Sequence, residues 1–183
     1  YHYGTESSVA CRKGSLLAEQ LVFGCEYAGG GCGPKTKSFM VMATNGAWSK
    51  PHGWWNMISA AKQRGVNIIV IDARRTKVAE LATIHLQPKQ GTDAALGAGI
   101  CRVLFEEGLF NKPFCDKWVY GVEEYRNYCK DFTPEKTEAI TGVPADLIVK
   151  AARMYAEGPG SFALTSQSLS HSRNGVNSAR ALL

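Results

Sequence analysis

The stretch Val66-Asn67-Ile68-Ile69-Val70-Ile71-Asp72 constrains this chain more than any other. It is apolar at nearly every position rather than at alternate ones, so a strand built from it is buried on both faces. That condition is met in a parallel sheet covered by helices. Shorter runs of the same kind are Phe39-Met40-Val41-Met42-Ala43, Thr83-Ile84-His85-Leu86 and Ser161-Phe162-Ala163-Leu164-Thr165. The first stops at Thr44-Asn45-Gly46, and the last follows the breaker Gly158-Pro159-Gly160.

Helical patterns lie between these runs. Residues 5–23 carry Leu16, Leu17, Leu21 and Val22 at helical spacing. A helix is expected after Pro51 with Trp54, Ile58 and Ala61 on one face and Gly65 as its stop. Another is expected over 75–82. Thr92 is expected to cap a long helix that buries Leu96, Ile100, Val103 and Leu104. Shorter helices follow near 113–130 and 134–141, and Pro144 opens one with Leu147, Ile148, Ala151, Ala152 and Tyr155 inward. Strands alternating with helices give an α/β fold with a mostly parallel sheet, a Rossmann-like three-layer arrangement.

With 183 residues, 45% of them apolar and 20% charged, the chain can bury one sizeable core. The net charge of +5 is scattered, and its densest group, Arg74, Arg75 and Lys77, is too short for a nucleic-acid footprint. No apolar run approaches the ~20 residues that cross a bilayer. Six cysteines without any CxxC spacing argue against a zinc ribbon or an iron–sulfur cluster, and most read as small buried residues. The start lacks Met and the end has a helical pattern, so both read as cuts within a longer protein. Targeting information is expected outside this segment, with bacterial cytoplasm and periplasm both compatible.

In an open α/β sheet, ligands bind beyond the carboxyl ends of the strands. Those positions hold Asn45 after the first strand, Asp72 after the second and Gln87-Pro88-Lys89-Gln90-Gly91-Thr92-Asp93 after the third. An acid at the end of the second strand can accept ribose hydroxyls. Backbone N–H groups at the start of the helix after Thr92 can hold an anion, and Asp93 can accept from a guanine edge. The plain alternatives are a turn start for Asp72 and a cap for Thr92. Two other nucleotide readings fail. Thr44-Asn45-Gly46-Ala47-Trp48-Ser49 lacks the GxGxxG of nicotinamide-binding domains, and Gly29-Gly30-Gly31-Cys32-Gly33-Pro34-Lys35-Thr36 has neither the spacing nor the order of a P-loop.

Two ordered segments carry a resemblance. Ile71-Asp72-Ala73-Arg74-Arg75-Thr76-Lys77-Val78-Ala79 resembles the D-P-R-x-T-x-x-A segment of the dimethyl-sulfoxide-reductase family of molybdopterin oxidoreductases. Gly91-Thr92-Asp93-Ala94-Ala95-Leu96 matches that family's G-T-D-x-A-L segment at the expected distance. Gly108-Leu109, Trp118, Gly121, Thr141-Gly142-Val143, Ile148 and Ala151-Ala152 continue the likeness over essentially the whole chain. Residues 69–96 look most like acetylene-hydratase-type members, and catechol dehydroxylases and transhydroxylases belong to the same broad group. Two departures stand out: Ala73 where the family has proline, and Gly33-Pro34-Lys35-Thr36-Lys37 where relatives are often acidic.

The resemblance implies an internal piece of a larger multidomain enzyme. Residues 1–183 would form one cofactor-binding domain, with 1–37 leading into it. The implied cofactor is molybdenum-bis(molybdopterin guanine dinucleotide) or its tungsten equivalent, contacted by Asn45, Asp72, Arg74, Arg75, Thr76, Gly91, Thr92 and Asp93. Relatives place a metal ligand in a segment like Ser7-Ser8-Val9-Ala10-Cys11, which makes Cys11 the implied ligand, with a buried structural cysteine as the plain alternative. A helix N-terminus would favour its thiolate, the form that binds a soft metal. His171 falls in a loop that faces cofactor or substrate in relatives, with a surface histidine as the plain alternative; His2, His52 and His85 read as structural. The implied partners are the remaining domains and an iron–sulfur electron-transfer subunit, with any iron–sulfur cluster outside this segment. No nucleic-acid or membrane contact is expected. The rival reading is a cofactor-free structural domain of an electron-transfer complex.

Overall fold

The computed structural model describes residues 13–25, 31–158, 160–171 and 174–182. Strands β1 (Ser38–Met42), β2 (Asn67–Ile71), β3 (Ile84–Leu86) and β4 (Ser161–Leu164) form one sheet in the order β3-β2-β1-β4. Every pairing is parallel, with Ser38 opposite both Asn67 and Ser161, and Ile69 opposite Ile84. Alternation along the strands sorts the apolar runs between two cores. Met40, Met42, Ile69 and Ile71 face one layer, and Phe39, Val41, Ile68 and Val70 face the other.

The first layer is α5 (Asp93–Glu106) and α9 (Ala145–Ala156), which contribute Leu96, Ile100, Ile148 and Ala152 to the core. The second is α3 (Asn56–Gln63) and α4 (Lys77–Glu80), which contribute Ile58, Ala61 and Val78. The continuous apolar run therefore marks a strand covered on both sides, as expected. Helices α6 (Lys112–Trp118), α7 (Val122–Cys129) and α8 (Pro134–Thr141) occupy the long crossover from β3 to β4. Gly99 on α5 admits α8 closely: a Cβ there would lie 2.6 Å from Thr137 Oγ1.

Several local expectations change. The helix after Pro51 starts as a π-helical turn, Pro51–Trp55, and α2 (Gly46–Ser49) precedes it. Helix α4 is a single turn rather than 75–82. Leu104, Leu147 and Tyr155 are only half-buried. The N-terminal pattern does form a helix, α1 (Lys13–Phe23), but its buried face is Ser15, Leu16, Ala18 and Glu19. Leu17, Leu21 and Val22 are exposed, because α1 packs on α10 (Gly175–Leu182), which in turn lies on α5.

Among the described cysteines all five are free thiols and only Cys129 is fully buried, so the expectation that most are buried holds for one residue. Burial raises the thiol pKa of Cys101, and it raises that of Cys129 to about 11, which leaves both protonated at neutral pH. Among the described residues, no helix is long and apolar enough to cross a membrane.

Candidate functional site

Chain order reverses at β1, which has β2 on one side and β4 on the other. The carboxyl end of β1 is thus a topological switch point, where α/β sheets hold ligands. Strand β1 stops at Ala43, whose φ of +51° is a left-handed conformation unusual for a residue with a Cβ. Its N–H still donates to Ile71 O (2.7 Å), and its carbonyl accepts from the Ser168 hydroxyl, tying the loop after β4 to the end of β1. Asn45 follows. Its carbonyl accepts from the N–H groups of Trp48 (2.9 Å) and Ser49 (3.0 Å), which winds α2. Its side chain caps nothing, and Oδ1 is buried without a hydrogen-bond partner. Such an atom loses its hydration unless a ligand donates to it.

At the end of β2 the Asp72 side chain is only 10% exposed. Its Oδ1 accepts from Arg74 N (2.8 Å), so the plain turn role is real, yet a carboxylate retains further acceptor sites. Neighbours fix its backbone: Asp72 N donates to Leu86 O (3.1 Å), and its carbonyl pairs with His85 Nε2 (2.9 Å). His85 is structural, as expected, but the structure it maintains is the position of Asp72. Thr76 Oγ1 accepts from Ala79 N (3.3 Å) and caps α4.

At the end of β3, Gly91 (φ +81°) lets the chain turn tightly. Thr92 does not cap α5, contrary to expectation. Its hydroxyl turns back and donates to Lys89 O (2.7 Å), reinforcing the turn in which Thr92 N donates to the same carbonyl (3.2 Å). The first turn of α5 therefore has no side-chain cap. Asp93 begins that turn. Partial burial raises its carboxyl pKa, its own backbone N–H lowers it, and the Asp72 charge raises it further. The charge at the end of β2 thus reaches the first residue of α5.

The residues that follow β1 and Asp72 form an open pocket of about 290 Å³, lined by Asn45, Ala47, Trp48, Arg74, Arg75, Thr76 and Lys77. It combines three cations, a buried amide oxygen and an exposed indole. Of the residues expected from sequence, Asn45, Arg74, Arg75 and Thr76 meet in this pocket. Asp72 lies within electrostatic reach of Asp93, and Gly91 and Thr92 shape the turn that leads into Asp93. His171 is exposed after the 3₁₀ turn Gln167–Ser170, at the end of β4, and is not part of the pocket. Cys11 lies outside the described residues. Trp48, Lys77 and the positioning role of His85 were missed: Lys77 fills a variable position of the 71–79 motif, the sequence around Trp48 and His85 matches no motif, and only the fold brings them to the strand ends.

No family model matches the chain. Acetylene hydratase of Syntrophotalea acetylenica is 44% identical over 115 residues, 61% of this chain and 16% of that protein. Formate dehydrogenase H of Escherichia coli (strain K12) is 38% identical over 127 residues, 69% of this chain and 18% of that protein. The solved structure of acetylene hydratase from Pelobacter acetylenicus superposes with a TM-score of 0.83 at 30% identity, over 96% of this chain and 24% of that one. The chain belongs to the molybdopterin oxidoreductase family. It spans about a quarter or less of the length of these relatives. The likeness covers the whole sheet and its strand-end loops, so the parallel architecture and its switch point are features of the family fold.

Proposed function

We propose that this chain holds one guanine dinucleotide of a molybdenum- or tungsten-bis(pyranopterin guanine dinucleotide) cofactor within a larger enzyme. The observation that carries this reading is Asp72 and Asp93: a nearly buried carboxylate after β2, with Arg74 Nε 4.0 Å away, and a partly buried carboxylate at the start of α5 whose pKa the Asp72 charge raises. Asp72 accepts ribose hydroxyls, and Asp93 accepts the N–H donors of a guanine edge. The side chains of Arg74 and Arg75 neutralise the diphosphate, while uncapped N–H groups at the start of α5 and the Thr76 hydroxyl donate to it. Asn45 supplies its orphaned oxygen to a ligand donor. Gly91, with open space at its Cα, and Thr92 keep the turn low enough for the base to approach Asp93.

When bound, the metal and its pterins supply oxygen-atom or hydroxyl transfer, or Lewis-acid activation of water. Cys11 donates the protein's thiolate to the metal, and His171 lines the reacting side from the loop after β4. The remaining domains close the site, and an iron–sulfur subunit or cluster outside this segment exchanges electrons where the reaction is a redox one. A cofactor-free structural role would account for the turn made by Asp72 but would leave the orphaned Asn45 oxygen without a purpose.

The test is guanosine diphosphate binding to the full-length protein freed of cofactor. Asp72→Ala and Asp93→Ala should each weaken binding by about 1.5–3 kcal/mol, the worth of a charge-assisted hydrogen bond. Wild-type affinity in both variants would refute the assignment. For Cys11, X-ray absorption of the loaded Cys11→Ser variant should show one sulfur neighbour fewer around the metal. An unchanged first shell would remove Cys11 from the ligand set.

A further inference from the structure

We propose that Trp48 is the stacking wall of the pocket and makes it select a fused heteroaromatic ring joined to diphosphate over diphosphate alone. This rests on the cofactor reading above and adds a specificity-determining residue to it. Trp48 is 86% exposed, whereas Trp54 and Trp55, a few residues on, are half-buried. An indole left in water forfeits the burial that makes aromatic side chains stabilising, so at a pocket wall its free face is available to a partner.

The backbone that carries the ring is fixed. Trp48 N donates to Asn45 O (2.9 Å), and Lys50 N donates to Gly46 O (3.1 Å). Gly46 is wedged against the π-helical turn: a Cβ on it would lie 3.1 Å from Trp54 Cβ and 3.2 Å from Trp55 N. Trp54 is itself occupied, with Lys50 Nζ 4.7 Å from its ring centre. Trp48 is thus presented on a braced turn, in the same pocket as Arg74, Arg75, Lys77 and Asn45, whose Oδ1 is buried without a partner. An aromatic face, a donor-seeking oxygen and three cations match a ligand with a flat ring, N–H or O–H donors and a diphosphate.

Both ends of the cofactor have that chemistry, one a purine and one a pterin. The experiment measures binding of guanosine diphosphate, hydroxymethylpterin diphosphate and inorganic pyrophosphate to the full-length protein freed of cofactor. Trp48→Ala should weaken at least one ring-bearing ligand by about ten-fold, within the range for base–aromatic stacking. Trp48→Phe should recover most of that loss, and pyrophosphate affinity should be equal in all three proteins. The ring-bearing ligand that suffers identifies the end that stacks, and its quenching of tryptophan emission should be smaller in Trp48→Phe. The proposal is overturned if Trp48→Ala binds both ring-bearing ligands like the wild type, or if pyrophosphate binding falls in parallel. If wild-type protein binds neither ring-bearing ligand, the nucleotide reading fails with it; wild-type binding that is insensitive to Trp48 removes this inference alone.

Discussion

The two ends of the parallel sheet are built from the same strands but treat their polar groups in opposite ways. At the amino end the backbone pairs with itself. Lys37 N donates to Gly160 O (2.8 Å), Asn67 N to Lys37 O (2.9 Å) and Thr83 N to Ile68 O (2.7 Å). At the carboxyl end Asn45 Oδ1 has no partner, Ala43 adopts a left-handed φ, and the Asp72 charge raises the carboxyl pKa of Asp93. One end is satisfied and closed, and the other holds unspent acceptors and strain. Strain and unsatisfied groups of this kind persist where they serve binding.

The contrast is sharpened most strongly by pH. Asp93 has a carboxyl pKa raised by burial and by Asp72, so the folded state binds its proton more readily than the unfolded chain does. Ionised Asp93 therefore costs stability above its folded pKa, and that cost disappears as pH falls through it. A ligand that donates to Asp93 needs the ionised form, so its affinity is complete above the folded pKa and falls below it. The slope should approach about ten-fold per pH unit. Guanosine diphosphate titrations from neutral to acidic pH should show this limb in the wild type and not in Asp93→Asn. A limb that survives in Asp93→Asn would assign the titration to another group.

A smaller effect is expected at the closed end. Gly158 has φ +88°, and a Cβ there would lie 2.7 Å from Lys37 Cγ. Gly158→Ala should lower stability by about 1–2 kcal/mol, the cost of the left-handed conformation for a residue with a side chain. Nucleotide affinity at a temperature where the variant is folded should stay at the wild-type level. A loss of affinity would mean that the two ends are mechanically coupled.

The sheet was legible because its signal is local: Ile68, Ile69, Val70 and Ile71 leave few alternatives to a strand covered on both faces. The acids at the strand ends were legible through the order of their motifs. What escaped depends on packing or on side-chain competition. The spacing of Leu16, Leu17, Leu21 and Val22 identifies a helix, but α10 decides which face is covered. Thr92 is a cap former by type, yet the Lys89 carbonyl takes its hydroxyl once Gly91 turns the chain. Trp48 is brought to the pocket by the single turn α2, braced by a π-helical turn that has no sequence signature here, and His85 serves Asp72 only because β3 lies beside β2.

The most direct test is to count guanine and metal in purified full-length protein. The account predicts that guanine co-purifies with molybdenum or tungsten. In the Asp72→Asn, Asp93→Asn double variant both should fall together by a large factor, since two charge-assisted contacts of about 1.5–3 kcal/mol each are lost, while the thermal midpoint of the cofactor-free protein stays close to wild type. Unchanged guanine and metal in a folded double variant would contradict it, and would return the two carboxylates to the plain roles of turn and helix start.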